Sequence, residues 1–161
     1  MRDIDVRTLA GAEGEARAAG LFSLIGTEVG VSAWHAMPQA RIDTFADATE
    51  DHQWIHTDAA RCKIESPFGA PVAHGFLTLS MIPALFENAI RLVGAKLVLN
   101  YGLNKVRFPA PVPVDSRVRA RITLLAVDAF DGGEQLTWQV VIECDASAKP
   151  VCVAEMLMRR Y

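Results

Sequence analysis

The two halves of the chain differ in the spacing of their hydrophobic residues. Over residues 117–124, apolar positions alternate with arginine and threonine, which is the period of a half-buried β-strand. The turn sequence Asp-Gly-Gly at 131–133 follows, and residues 136–144 are typical of the return strand. A second turn at 149–150 predicts a last strand over residues 151–159. The back half is therefore predicted to form successive β-hairpins.

Two more strand candidates occur elsewhere in the chain, and the front half also contains several helices. Residues 29–37 and 96–108 are the strand candidates, the second interrupted at Gly102, which brings the total to about five strands. Short helices are predicted over residues 42–48 and up to Cys62. Two pairs of residues are suitable helix caps, Asp43 or Thr44 for the first and Thr57 or Asp58 for the second.

The longest helical segment, residues 75–90, is apolar on almost every face, which is typical of a buried helix. Pro83 inside it predicts a kink or the loss of one internal hydrogen bond. A single apolar helix beside antiparallel strands requires the sheet to curl around it, because both must bury their apolar faces together. The predicted class is therefore α+β, with a curved antiparallel sheet wrapped around a central apolar helix, the hot-dog fold.

The length of 161 residues fits one domain. Residues 1–20 are rich in alanine, glycine and charge and predict a loose or weakly helical lead-in, so the domain itself is expected at residues 21–161. The net charge is -3 and the basic residues form no long block, which argues against a nucleic-acid surface. No apolar run approaches the ~20 residues of a membrane span, and the N-terminal segment lacks the apolar core of a signal peptide.

The three cysteines form no Cys-x-x-Cys pair and leave an odd count. Such a set favours a reduced, cytoplasmic protein. Cys144 and Cys152 flank a turn, but we expect both to be small apolar core residues rather than a cross-hairpin disulfide.

The densest polar stretch, residues 49–58, reads TEDHQWIHTD. Together with the blocks PFGAPVAHGFLTLSMIP and YGLNKVRFPAPVPVDSRVRARI, it resembles the MaoC-like dehydratases and R-specific enoyl-CoA hydratases, in which a histidine follows an aspartate by five residues. The similarity is greatest to the branch of nodulation protein N-like hydratases. It runs from about Gly26 to the C-terminus, and the three blocks occur in the same order.

The resemblance implies that Asp51 and His56 are the catalytic pair. It also implies that the backbone N–H of Gly75 lies near a thioester carbonyl and that Asn104 lies near the cleft. Hydration of a 2-enoyl thioester needs a base that takes a proton from water and an acid that protonates C2, and a carboxylate with an imidazole can supply both. A fixed N–H at the start of the buried helix would stabilise the developing thioester oxyanion. This chemistry requires no cofactor.

Two positions depart from the family pattern. Glu50 stands where this branch usually has glycine, which suggests a backbone with positive φ or close packing against the cleft. The additional carboxylate beside Asp51 is expected to weaken the activity, shift its pH dependence or redirect it. Asp115 also stands where the family often has glycine, in a predicted strand-end turn where the change matters little.

Other polar residues allow competing interpretations. His52 and His56 have the four-residue spacing of two metal ligands, with Asp51 or Glu50 as a third, but the resemblance implies a site without metal. His74 directly precedes the buried helix, where a structural hydrogen bond is favoured over an acid/base role. Ordinary surface or core roles are expected for His35, Trp34, Trp54 and Trp138.

The resemblance also implies the binding partners, an acyl thioester of coenzyme A or of an acyl carrier protein and a second copy of the chain in a homodimer. Leu77, Met81 and Phe86 would line the acyl chain or simply fill the core. Most arginines of the strand half are expected on solvated strand faces, with one or two left for the phosphates of coenzyme A. These arginines are Arg107, Arg117, Arg119, Arg121, Arg159 and Arg160.

Two alternative functions remain open from the sequence. A hot-dog thioesterase would use the same fold and substrate class but attack C1, and the fold alone does not discriminate between the two reactions. A catalytically silent hot-dog protein that binds acyl thioesters or serves as an assembly subunit is the other alternative, and Glu50 is the residue that favours it.

Overall fold

The computed structural model describes residues 1–5 and 19–161. The helices are α1 (Ala19–Phe22), α2 (Gln39–Thr49), α3 (Trp54–Thr57), α4 (Ala59–Glu65), α5 (Gly75–Ser80) and α6 (Ile82–Ala89). The strands are β1 (Arg2–Asp5), β2 (Glu28–Val31), β3 (His35–Ala36), β4 (Ile90–Val93), β5 (Val98–Arg107), β6 (Arg117–Phe130), β7 (Gly133–Cys144) and β8 (Cys152–Arg160).

The main sheet is antiparallel and has the order β2-β6-β7-β8-β5, with β3 paired to another part of β6. Its centre consists of two consecutive hairpins, as the alternating pattern predicts. The first hairpin turns at Gly132, whose φ of 86° suits a residue without a side chain. Side chains along β6 and β8 alternate between buried and accessible, so one face of the sheet is turned towards the core.

Helices α5 and α6 pack on this buried face and complete the core. Trp138 of β7 is fully buried, and the ring of Phe86 on α6 meets it edge-on at a centroid distance of 5.1 Å. Leu85 on the same helix is also fully buried. A curved antiparallel sheet around a central apolar helical segment confirms the predicted hot-dog fold.

The predicted single helix over residues 75–90 is wrong in one respect, because the segment is divided at Met81 into α5 and α6. Pro83 lies in the first turn of α6, where its missing N–H requires no partner. Within one continuous helix, its ring would instead clash with the preceding turn. The segment also ends one residue early, since Ile90 begins strand β4.

The short helices of the front half differ from the prediction at one or both ends, since α2 begins three residues early and α4 extends beyond Cys62 to Glu65. Helix α2 starts at Gln39 after Pro38, whose side chain makes no capping hydrogen bond. The two predicted caps, Asp43 and Thr44, therefore lie inside the helix. The second prediction is confirmed, because the carboxylate of Asp58 accepts from the backbone N–H of Arg61 at 2.9 Å and caps α4.

The strand predicted over residues 29–37 is divided into β2 and β3, which pair with different parts of β6. Strand β1 lies within the predicted lead-in and pairs in parallel with β4 over four residues. Residues 6–18 of that predicted lead-in lie outside the described residues. Parallel pairing of segments so distant in sequence leaves no local signal in the hydrophobic pattern.

The three cysteines are buried and free, which confirms the prediction that Cys144 and Cys152 are core residues. The thiol of Cys144 donates to the hydroxyl of Ser116 at 3.3 Å. Burial raises the pKa of the Cys152 thiol to about 11. The Cys152 thiol is therefore held in its neutral form as a packing group.

The arginines of the sheet are mostly paired with carboxylates rather than merely solvated. Arg117, Arg119 and Arg121 of β6 lie within 2.8 Å of acidic oxygens on Asp145, Glu143 and Glu28. The Arg160–Glu134 pair is buried, and Arg159 lies over the ring of Tyr101. Among the described residues, no helix is both long and apolar enough to span a membrane.

Candidate active site

The structure brings Asp51, His56 and His74 together from three separate segments. Asp51 follows the end of α2, His56 lies in α3, and His74 directly precedes α5. One carboxylate oxygen and one nitrogen from each ring lie within 4.8 Å of one another. The two residues of the predicted pair are therefore neighbours, and a second histidine joins them.

The chain reaches Asp51 through a left-handed residue. Glu50 is the C-cap of α2 and has φ 59° and ψ 18°, a conformation that costs an L-amino acid about 1–2 kcal/mol. Asp115, the second position where glycine was expected, has φ 62°. These are the two non-glycine residues with positive φ among the described residues, so both departures from the family pattern carry backbone strain.

The ring of His56 is held in one orientation by a backbone carbonyl. Its Nδ1 lies 2.6 Å from the oxygen of Val72, and because a carbonyl only accepts, Nδ1 carries the hydrogen. The other nitrogen, Nε2, is then the free base. Two backbone hydrogen bonds fix the segment that contains Val72. The N–H of Ala73 donates to the oxygen of Val112 at 2.8 Å, and the N–H of Val114 donates to the oxygen of Pro71 at 2.9 Å.

The surroundings of His56 favour its neutral form. Burial of the ring lowers its pKa below the ordinary value of 6.5, and the neighbouring His74 lowers it further. The hydrogen bond to Val72 and the carboxylate of Asp51 act in the opposite direction but do not reverse the shift. His56 is therefore an unprotonated base at neutral pH.

Asp51 differs from His56 in its exposure, since 54% of its side chain is accessible. One carboxylate oxygen accepts from the backbone N–H of Gln53 at 3.4 Å. The other oxygen lies 4.0 Å from Nε2 of His74. An open carboxylate beside a buried imidazole can hold a water molecule between the two groups.

His74 is only 3% exposed and contacts both members of the pair. Its Nε2–H donates to the backbone oxygen of Asp51 at 2.9 Å, which confirms the predicted structural hydrogen bond. Its ring also stacks on His56, with centroids 3.7 Å apart and planes inclined by 26°. The sequence did not predict this stack, because contacts between residues 56 and 74 depend on the tertiary fold.

Gly75 opens α5 immediately beside this cluster. A Cβ atom on Gly75 would lie 3.0 Å from the ring of Phe108, which is tighter than ordinary packing allows. A cavity of about 250 Å³ adjoins this position, and its lining is mostly apolar. The lining includes Phe68, Ala73, Gly75, Thr78, Phe108 and Val112.

Asn104, which was predicted to lie near the cleft, is not part of this cluster. Asn104 is on β5, where its Nδ2 donates to Glu155 Oε1 at 2.6 Å. Among the described residues, no hydrogen bond links Asn104 to Asp51, His56 or His74.

The proposed metal ligand His52 precedes α3 and lies 3.8 Å from Asp47 on the surface. The alternative set of Asp51, His56 and His74 is compact, but its two rings are stacked nearly parallel. Their lone pairs therefore do not converge on one point, as the ligands of a tetrahedral ion must.

Comparison with known proteins identifies the family. Residues 21–143 match the family described as MaoC like domain. The chain belongs to this family.

The similarity extends to named relatives over most of their length. The chain is 50% identical to 3-hydroxyacyl-thioester dehydratase Z of Mycobacterium tuberculosis over 142 residues, covering 88% of this chain and 93% of the relative. It is 44% identical to Nodulation protein N of Rhizobium leguminosarum bv. viciae, covering 84% of this chain and 85% of that protein. An R-hydratase from Pseudomonas aeruginosa shares the fold with a TM-score of 0.66 at 21% identity, covering 81% of this chain and 80% of its own.

Proposed function

We propose that the protein catalyses the reversible syn hydration of trans-2-enoyl thioesters to (R)-3-hydroxyacyl thioesters, with Asp51 and His56 as its acid/base pair. The observation that carries this proposal is that an oxygen of the exposed Asp51 carboxylate lies within 4.8 Å of a nitrogen of the buried His56 ring, whose Nδ1 is bound to the Val72 carbonyl. The name of the mycobacterial relative supports the reaction class, since it describes a dehydratase of 3-hydroxyacyl thioesters.

The first step is activation of water. Asp51 and Nε2 of His56 hold one water molecule, and the neutral imidazole accepts a proton as the water oxygen bonds to C3 of the substrate. The lowered pKa of His56 keeps this nitrogen available at neutral pH. No covalent intermediate forms, and by microscopic reversibility the dehydration uses the same groups in the opposite order.

The second step is protonation of C2. As oxygen bonds to C3, negative charge moves onto the thioester oxygen, and the backbone N–H of Gly75 is the proposed donor to it. The proton on the Asp51–His56 pair then passes to C2 from the same side, so a hydroxyl and a hydrogen have been added across the double bond. Removing one such backbone or side-chain donor costs about 3–4 kcal/mol in other enzymes.

The apolar cavity beside Gly75 is the proposed binding site for the first carbons of the acyl chain. Phe76 and Phe108 form an edge-to-face pair at 6.1 Å, and Phe76 remains 69% exposed. Such an open aromatic rim suits an apolar chain that enters from solvent. The acyl chain of the proposed substrate is carried as a thioester by coenzyme A or by an acyl carrier protein.

A homodimer is the proposed assembly. Among residues 1–5 and 19–161, strand β5 is an edge of the main sheet, so one side of its backbone has no strand partner there. Three of its apolar side chains, Leu99, Tyr101 and Leu103, are each at least 44% exposed. A second copy joined along this edge would pair the strand and cover these side chains together.

The direct test is the loss of the conjugated enoyl absorbance of crotonyl-CoA and of a longer 2-enoyl-CoA. We expect Asp51→Asn and His56→Gln to reduce turnover by about 10²–10⁴-fold, the usual contribution of general acid–base catalysis. His52→Gln is the matched control, because this exposed histidine lies next to Asp51 but contacts Asp47, and it should keep near-normal turnover.

Each other result selects a different function. Release of free thiol would indicate a thioesterase, whereas no turnover with either chain length would favour a silent acyl-thioester-binding protein. Near-normal turnover in either Asp51→Asn or His56→Gln would show that the assigned pair is wrong. Chiral analysis of the product should give the R-alcohol.

A further inference from the structure

We propose that His74 is a positioning residue, which fixes the Asp51 backbone through its Nε2–H and the plane of the His56 ring through its own ring face. This inference rests on the function proposed above. It assigns a role in the reaction to a side chain that touches the catalytic pair rather than the substrate.

The first support is the anchoring of Asp51. The carboxylate is exposed, it follows the left-handed Glu50, and its bond from Gln53 N–H is long at 3.4 Å. The bond from Nε2 of His74 to the Asp51 carbonyl is shorter, at 2.9 Å, and originates from a buried ring. His74 therefore ties the loop after α2 to the start of α5.

The second support is the stack on His56. The Val72 carbonyl fixes the position of Nδ1, but a single hydrogen bond leaves the ring free to tilt about that contact. The face of His74 at 3.7 Å removes this freedom and so directs Nε2 of His56. The ring of Phe45 on α2 lies 5.1 Å from His74 and helps to confine it.

The third support is a buried nitrogen that packing alone does not explain. Nδ1 of His74 has no hydrogen-bond partner among the described residues. Burying an unpaired polar atom opposes folding, and an aromatic hydrocarbon ring would fill the same space without that cost. The histidine is therefore explained by its second nitrogen, which donates to Asp51.

Two substitutions separate the two contacts. His74→Phe keeps a ring against His56 but removes the N–H, and we expect kcat to fall about 10–100-fold with KM changed less than about threefold. His74→Gln retains an N–H at a similar reach and should recover several-fold of the lost kcat. A purely structural role would not produce this difference between two well-folded variants.

The pH profile is an independent readout. The groups that face His56 are the carboxylate of Asp51, the ring of His74 and the carbonyl of Val72. Because His74 lowers the pKa of His56, both substitutions should move the acidic limb of the kcat profile to higher pH. His52→Gln is the control, because it removes an exposed imidazole that lies beside Asp47 and makes no contact with His56, and its acidic limb should stay unchanged.

Nitrogen NMR of the histidine rings tests the geometry without activity. At pH 8 we expect the Nε2–H tautomer for His74 and the Nδ1–H tautomer for His56 in the wild-type protein. An Nδ1–H tautomer at His74, or wild-type kcat and pH profile in His74→Phe, would overturn the inference. If the wild-type protein itself hydrates no enoyl thioester, the proposed function fails while the tautomers still decide the contacts. Should His74→Phe not fold, His74→Gln and the tautomers decide.

Discussion

The β6–β7 hairpin is paired residue by residue along nearly its whole length, whereas residues 50–75 contain two short helices joined by loops. The hairpin has one irregularity in its register, between Leu124 and Ala126, and it buries a continuous row of apolar side chains. In the loop region, single side chains hold the backbone, as His56 holds Val72 and His74 holds Asp51. The stability of the sheet is thus distributed over many contacts, whereas the geometry of the candidate site depends on a few hydrogen bonds.

This difference predicts that stability and activity respond to different substitutions. Apolar truncations in the sheet should lower the free energy of unfolding, because many contacts are lost together with the buried area. Substitution of the exposed Asp51 should change turnover with little change in stability, since surface replacements usually stay within about 0.5 kcal/mol.

Trp138→Ala should have the largest effect on stability, about 3–5 kcal/mol, because it leaves a cavity where Phe86 meets the sheet. Trp138→Phe is the matched control and should cost much less, since it also removes an indole N–H that has no partner among the described residues. Urea unfolding of both variants and of Asp51→Asn measures the difference. A cost below about 1 kcal/mol for Trp138→Ala would contradict a core centred on this residue.

Glu50→Gly should raise the free energy of unfolding by up to about 1 kcal/mol. Relief of the left-handed strain gains about 1–2 kcal/mol, and the greater freedom of glycine in the unfolded chain offsets part of it. Activity should stay equal or rise. Asp115→Gly should gain less, because aspartate tolerates this conformation better. A collapse of turnover in Glu50→Gly would mean that the Glu50 carboxylate takes part in the mechanism.

The pH dependence of stability should report the burial of His56. Its pKa is lowered in the folded state, so the unfolded chain binds a proton first as the pH falls below about 6.5. The stabilisation of the folded state by neutral His56 is fully present above that pH, and it is lost as the pH falls towards the pKa of His56 in the folded state. Urea unfolding at pH 5, 6 and 7 should show a smaller pH dependence for His56→Gln than for the wild type. Parallel curves would indicate that His56 is not desolvated.

The sheet could be predicted because its signals are local. The alternation over residues 117–124 and the Asp-Gly-Gly turn define β6 and β7, and the structure extends the first strand to Phe130. Pro83 showed that the apolar helix could not be regular, but the break falls at Met81, where a new helix accommodates the proline in its first turn. The parallel pair β1–β4 could not be predicted, since neither segment has a pattern that identifies its partner.

The sequence predicted which residues belong to the candidate site but not how they contact one another. Asp51 and His56 follow from the resemblance. The glycine that the family usually has at the position of Glu50 suggested a positive φ or close packing, and in the structure Glu50 itself has a positive φ. The stack of His74 on His56 depends on how α3 and the start of α5 meet, which no spacing in the sequence encodes. The only available signal was a histidine directly before the glycine that opens a buried helix.

The backbone hydrogen bonds between residues 71–73 and residues 112–114 affect the order in which the chain can fold during its synthesis. The ribosome produces Asp51, His56 and His74 first, yet the carbonyl that orients His56 belongs to a segment held by Val112 and Val114. Strands β6, β7 and β8 are adjacent in both sequence and sheet, so their hairpins close small loops and can form early once synthesised. The part of the candidate active site that is translated first is therefore completed only after later segments of the chain have emerged and folded.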